Sequence, residues 1–260
     1  MKSITVVKVG GAVTEDPFKQ DQLLESFSAI DGLKLLVHGG GRHATELAAK
    51  LGLETKMIEG RRITSPAMLE VAVMSYAGWI NKTLVAKLQA KTIDAVGLSC
   101  VDANIITAMK RRVENEIDFG SVGDPIEVNP SFLLALLNTE LVPVLAPITH
   151  DGKGDLLNTN ADTIASLVSS SLSKYFHVKL TFAFEQQGVL KKHQKSEEVY
   201  NHLDFQKFQM LIQNGTVHDG MIPKLQNGFN ALKQGVQKVY ITRYDRLDTK
   251  QNEVFGTQLI

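Results

Sequence analysis

Two lysines stand where ordinary folding gives little reason for a lysine. Lys8 closes the face Ile4-Val6-Lys8 of an apolar run, Ile4-Thr5-Val6-Val7-Lys8-Val9, just before Gly10-Gly11. An ammonium in such a strand is costly to bury unless it meets an anion. Lys224 follows Pro223 in Asp219-Gly220-Met221-Ile222-Pro223-Lys224. Proline suits the first turn of a helix, but a cation there opposes the helix dipole. A third segment, Leu157-Asn158-Thr159-Asn160-Ala161-Asp162, also opens a helix. Asn160 reads as its N-cap and Asp162 as a first-turn carboxylate, a placement the dipole by itself would favour. Glycine clusters at Gly10-Gly11 and Gly39-Gly40-Gly41 each follow a strand-like run. Such turns let backbone N–H groups approach an anion at the carboxyl end of a parallel strand. Two such strand ends point to one shared polyphosphate cradle, and the two placed lysines to a bound anion.

Three familiar motifs do not apply. No Gly-x4-Gly-Lys-Ser/Thr loop occurs, and His38-Gly39-Gly40-Gly41-Arg42-His43 lacks the spaced glycines of a dinucleotide fingerprint. Asp118-Phe119-Gly120 matches the metal-binding tripeptide of protein kinases, but no His-Arg-Asp catalytic loop accompanies it, so the match reads as chance. No histidine-based triad emerges. His38 and His43 flank the glycine loop as residues that would orient it.

The elements around these residues alternate. Leu33–Val37, Leu141–Leu145, His177–Phe184 and Lys238–Thr242 read as buried parallel strands, and Thr45–Leu51, Ala161–Leu172 and Phe205–Gln213 as helices. That alternation predicts an α/β fold with a mainly parallel sheet. Ile105–Val128, charged and rich in turn signals, reads as a hairpin leaving the main sheet. The 260 residues imply two lobes sharing one continuous sheet, or a single large α/β domain. Past Ser169-Ser170-Ser171 the chain becomes richer in Lys and Gln, which sets a lobe boundary between 172 and 173. Lys+Arg and Asp+Glu are both 28, so no global field calls for nucleic acid or an anionic membrane. A lone cysteine, Cys100, excludes an internal disulfide, and no stretch reads as signal peptide or membrane span. A cytoplasmic location is the expectation.

In order and spacing the motifs resemble acetylglutamate kinases of the amino-acid kinase superfamily. The matching pieces are Lys8-Val9-Gly10-Gly11, Val37-His38-Gly39-Gly40-Gly41, Gly60-Arg61-Arg62-Ile63-Thr64, Asn81-Lys82-Thr83-Leu84-Val85, Val96-Gly97-Leu98, Asn158-Thr159-Asn160-Ala161-Asp162, Asp219-Gly220-Met221-Ile222-Pro223-Lys224 and Gly256-Thr257. The resemblance implies a three-layer sandwich with helices on both faces of a mainly parallel sheet. Residues 1–172 would bind the acyl amino acid and dimerise; residues 173–260 would bind nucleotide. The implied reaction moves the γ-phosphoryl of ATP, with Mg²⁺ carried on the nucleotide, to the γ-carboxylate of N-acetyl-L-glutamate or a close N-acyl-glutamate, early in arginine biosynthesis.

By the same resemblance Lys8 and Lys224 flank the moving phosphoryl group and Asp162 holds both lysines. Gly40, Gly41, Arg62 and Asn158 fall to the acyl amino acid. Gly10, Gly11, Gly39, Gly220 and Glu185 fall to the phosphates and nucleotide, and no residue is assigned to a metal. A carboxylate acceptor is already an anion and needs no general base, so positioning and charge stabilisation are the tools required.

The chain departs from the family pattern in three places. Glu185 replaces the usual aspartate, Cys100 replaces a glycine, and only seven residues precede Lys8, whereas arginine-inhibited members carry an added helix there. The expectation is a homodimer joined through helices of the N-terminal lobe, without feedback inhibition by arginine. Alternatives are a kinase acting on glutamate, aspartate or carbamate, or a ligand-sensing relative without turnover.

Overall fold

In the computed structural model, described for all residues except 59–60, 114–115, 192–197, 219 and 248–255, the chain is built around one eight-stranded sheet. The first strand, β1 (Ser3–Val9), runs into the short helix α1 (Gly11–Thr14) and then α2 (Pro17–Ser28). Asp16 caps α2 by accepting from the N–H groups of Phe18 and Lys19, and Pro17 supplies the preset first-turn φ. Next come β2 (Leu33–His38), α3 (Gly41–Lys50), the hairpin β3 (Met57–Ile58) and β4 (Arg61–Arg62), and α4 (Pro66–Val73). This last helix passes without a break into a π-helical segment, Met74–Ile80, and then α5 (Asn81–Gln89).

The middle of the chain supplies β5 (Ala95–Ser99), β6 (Ile106–Lys110), β7 (Gly123–Val128), α6 (Ser131–Asn138), β8 (Val142–Ala146), β9 (Ile148–His150) and β10 (Leu156–Asn158). The C-terminal part adds α7 (Ala161–Leu172), β11 (His177–Phe184), β12 (His202–Leu203), α8 (Phe205–Gln213), α9 (Met221–Lys233), β13 (Lys238–Arg243) and β14 (Thr257–Leu259).

The main sheet runs β12-β14-β13-β11-β1-β2-β8-β5 and is parallel except where β13 meets β14. Alternation along β1 explains the layers. Ile4 and Val6 join one apolar cluster with α6, α7, α8 and α9, while Val7 and Val9 join another with α2, α3, α4 and α5. As the sequence predicts, 105–128 forms an antiparallel hairpin, β6–β7, in a second sheet ordered β10-β9-β6-β7. Lys8 is not an edge residue. Its strand is flanked by β11 and β2, and its ammonium is enclosed among the C-terminal ends of the central strands.

Candidate active site

Three helix or strand ends converge on one carboxylate. Asp162 lies in the first turn of α7, whose N-cap Asn160 accepts from the N–H groups of Asp162 and Thr163. Lys8 Nζ, at the end of β1, is 2.8 Å from Asp162 Oδ1. Lys224 Nζ, in the first turn of α9, is 3.3 Å from both oxygens and lies 5.8 Å and 6.0 Å from the ring centres of Phe182 and Phe184. All three side chains are close to fully buried. Burial would push the Asp162 carboxyl up, but Lys224 and Lys8 outweigh it and hold the group at about 2. Burial also pulls Lys8 below its ordinary value, opposed by Asp162 and reinforced by Lys224. Two cations share one anion, so the cluster carries a net positive charge in a desolvated place. A further anion beside it would be strongly attracted.

The glycine turns meet above this cluster. The Gly39 N–H donates to Val9 O at 3.0 Å, tying the second loop to the end of β1. A Cβ on Gly11 would lie 2.7 Å from Glu15 Oε1 and 3.2 Å from Gly41 N, so only glycine lets the two turns approach. Both Glu15 oxygens are buried, and burial raises that carboxyl against the opposing backbone N–H groups of His43 and Arg42. A cleft of about 1110 Å³ opens from these turns. Lys8, Gly11, Gly39, Gly40, Gly41 and Gly220 line it together with Arg62 and Asn158.

Arg62 is anchored, and the Tyr76 hydroxyl lies against its guanidinium as well. Its Nη2 donates to Gly41 O at 2.7 Å and to Thr45 Oγ1 at 2.8 Å, while Nη1 is buried with no partner among the described residues. An orphaned guanidinium nitrogen at a cleft wall suits a carboxylate. Asn158 Nδ2 donates to Thr64 Oγ1 at 3.1 Å, which joins the Arg62 strand to the end of β10.

The site residues named from the sequence do not all gather here. Gly10 caps α1 behind the cleft wall. Glu185 follows β11 and pairs with Lys19 of α2, outside the cleft lining. Asp219 and Gly60 fall outside the described residues.

Other contributors were not visible in the sequence. Phe119-Gly120-Ser121 grips Thr64: the Thr64 N–H donates to Phe119 O at 2.9 Å and the Ser121 N–H to Thr64 O at 2.7 Å. Gly120 has φ +71° and a Cβ there would meet Thr64 O at 2.3 Å, which gives the 118–120 tripeptide a structural use unrelated to metal binding. Arg111 lines the cleft, stacks 5.5 Å from the Phe119 ring centre and pairs with Asp124. The spacing of 111, 119 and 124 around turn residues was the only available signal for this cluster.

Comparison with known proteins gives one consistent result. Residues 3–243 match the model of the amino acid kinase family. The chain is 48% identical over 256 residues to an acetylglutamate kinase of Phocaeicola vulgatus, covering 98% of each chain. It is 47% identical over 248 residues to an acetylglutamate kinase of Bacteroides fragilis, covering 95% of each. Among solved structures, N-acetylglutamate synthase from Neisseria gonorrhoeae, complexed with coenzyme A and N-acetyl-glutamate, superposes with a TM-score of 0.82 at 21% identity. That match covers 98% of this chain and 59% of the synthase, and it shows the shared fold.

Proposed function

Because this chain belongs to the amino acid kinase family, among its acetylglutamate kinases, we propose that the cleft over the Lys8–Asp162–Lys224 cluster is where its reaction takes place. The enzyme phosphorylates N-acetyl-L-glutamate at the expense of ATP, a step of arginine biosynthesis. The observation that carries the assignment of the site is the shared carboxylate. One aspartate fixes two lysines 2.8 Å and 3.3 Å away, leaving excess positive charge where two anionic reactants must be brought together.

In this reading Lys8 and Lys224 neutralise the transferring phosphoryl oxygens, and Asp162 sets their positions without touching the reacting atoms. The N–H groups of Gly11, Gly40 and Gly41 add donors that need no reorganisation as charge develops, while Gly39, whose N–H is taken by Val9 O, shapes the second turn. Gly10 shapes the first turn, and Gly220 opens the helix that carries Lys224. Arg62, through its free Nη1, takes the α-carboxylate of the acyl amino acid, and Asn158 its acylamino group. Mg²⁺ enters on the nucleotide phosphates as part of the substrate. The ion pair of Glu185 with Lys19 lies next to the end of β11, on the side where the nucleotide's distal part would rest. Residues 1–172 form the acceptor lobe and 173–260 the nucleotide lobe. No described helix is long and apolar enough to cross a membrane.

A coupled ADP-release assay with N-acetyl-L-glutamate, N-succinyl-L-glutamate and L-glutamate tests the acceptor. Turnover is expected with an N-acyl-glutamate and not with free glutamate; turnover on free glutamate alone would overturn it. Arg62→Ala is expected to raise KM for the acyl amino acid at least about tenfold, the loss of one charge-assisted bidentate contact, with KM for ATP little changed. Equal effects on both would move Arg62 out of the acceptor pocket.

A further inference from the structure

Behind the second glycine turn lies a chain of buried polar contacts that the reaction scheme above does not use. His38, the last residue of β2, is fully buried, and its Nδ1 is 2.9 Å from Gly39 O. A carbonyl only accepts, so Nδ1 carries the proton and Nε2 is left as an acceptor. Asn81 Nδ2 faces that Nε2 at 3.2 Å. The same amide nitrogen lies 2.9 Å from Val144 O and 3.3 Å from Leu98 O, two further acceptors that fix which end of the amide is the donor. Asn81 thus ties the carboxyl ends of β2, β8 and β5 together directly behind the loop. Burial, and the charge of Lys8, push His38 down to about 4 despite its bond to Gly39, so the imidazole stays neutral.

The geometry of the peptide plane gives this chain its meaning. The Gly39–Gly40 bond is trans, since no described peptide is cis, and a trans peptide points its C=O and N–H to opposite sides. With the Gly39 carbonyl held back by the imidazole, the Gly40 N–H is turned the other way, toward the cleft that Gly39, Gly40 and Gly41 line.

The π-helical segment completes the mould. A Cβ on Gly40 would lie 2.4 Å from Ile80 Cδ1 and 2.8 Å from Tyr76 Cδ1, and His43 Nδ1 is 2.7 Å from Ser75 Oγ. Ser75 and Ile80 are five residues apart, as are Tyr76 and Asn81. Five is the interval over which a π-helix closes its hydrogen bonds, and such segments are frequent at functional sites. All four residues press on the loop 38–43.

We propose that His38 and Asn81 are positioning residues for phosphoryl transfer: Asn81 orients the imidazole, the imidazole holds the Gly39 carbonyl, and the Gly40 N–H is thereby aimed at the anion in the cleft. The proposal rests on the reading of the cleft as a phosphoryl-transfer site, so wild-type turnover in the same assay is the control that tests that reading separately.

Two amide substitutions separate aiming from packing. In His38→Asn the side-chain N–H₂ falls near the Nδ1 position and can still donate to Gly39 O. In His38→Gln it falls near Nε2 and leaves that carbonyl without its donor. With thermal unfolding used to confirm that each variant is folded, His38→Gln and His38→Leu are expected to lose at least about tenfold in kcat, with both KM values within about threefold of wild type. That loss is smaller than the ~10²–10³ seen when such a donor is removed outright, because here the donor is misaligned and still present. His38→Asn is expected to recover most of it. Equal kcat for the Asn and Gln variants, or a His38→Leu enzyme within twofold of active wild type, would overturn the proposal.

Discussion

Charge sharing among Lys8, Asp162 and Lys224 makes opposite demands on each partner. Changing either lysine to alanine is expected to lower kcat by at least about a hundredfold, the scale of removing one preorganised charge-stabilising donor. Single-turnover and steady-state rates would check it, and a Lys8→Ala enzyme within a few-fold of wild type would reduce that lysine to a structural role. Asp162 has a stability signature as well. Its carboxyl is depressed from 3.8 to about 2, so the stability gained from ionising it is present above the unfolded value and is lost as pH falls through about 2. In Asp162→Asn that gain is gone and both buried lysines lack their counter-ion, a defect of about 3–5 kcal/mol by analogy with broken buried pairs. The Tm difference between wild type and variant should therefore be large at pH 5–7 and shrink below pH 4; a difference independent of pH would show that the pair is not what stabilises this place. The two lysines were legible in the sequence because each breaks a local rule, one in an apolar strand and one at a helix start; Asp162 breaks none and was singled out only through the resemblance, and it is the anion that excuses both lysines. Arg111 and Thr64 were not legible. Thr64 depends on Phe119 and Asn158 arriving from distant segments, Arg111 on the turn that brings Phe119 back beside it, and no local rule is broken at either position.

Elements whose pattern is periodic were legible nearly to the residue. The runs read as His177–Phe184, Ala161–Leu172 and Phe205–Gln213 coincide with β11, α7 and α8, because apolar period and caps agree there. The π-helical segment was hidden. Met74-Ser75-Tyr76-Ala77-Gly78-Trp79-Ile80 carries no local mark of a widened turn, which shows only in what the segment faces. One glycine reports on this arrangement. A Cβ on Gly97, in β5, would fall 2.0 Å from Asn81 Oδ1 and 2.9 Å from Val85 Cγ2. Gly97→Ala is expected to displace Asn81 and cost about 1–3 kcal/mol, the range for overpacking, seen as a Tm lowered by about 2–12 °C. An unchanged Tm would mean that the helix after the π segment yields freely and does not brace the strand ends.

At the scale of the whole molecule, one surface sets two large exposed apolar side chains side by side, edged by Lys82, Thr83 and Lys87. Met74 and Trp79 are half to two-thirds exposed and share a shallow surface with Gly78, Ala86 and Ala90. We propose this surface, in the N-terminal lobe, as the two-fold face of a homodimer. Light scattering is expected to give a dimer for wild type and a monomer for Trp79→Lys; a wild-type monomer would end the idea. The stretch after β13 is also stitched to α2 away from the cleft, where the Tyr244 hydroxyl donates to Gln22 Oε1 at 3.1 Å and the Leu247 N–H to Ser26 Oγ at 2.8 Å. The central strand carries one more consequence, for the order in which the molecule is made. β1 is bordered on one side by β2, which follows it at once, and on the other by β11, which begins at residue 177. On the ribosome, at about 5–20 residues per second, β1 waits roughly ten to thirty seconds with one edge unpaired. An open edge of that kind invites pairing with another chain. Sealing then passes outward, β13 closing on β11 only from residue 238, so a nascent chain shorter than about 184 residues leaves the strand that bears Lys8 open, lacks Lys224 altogether, and is both inactive and prone to aggregate.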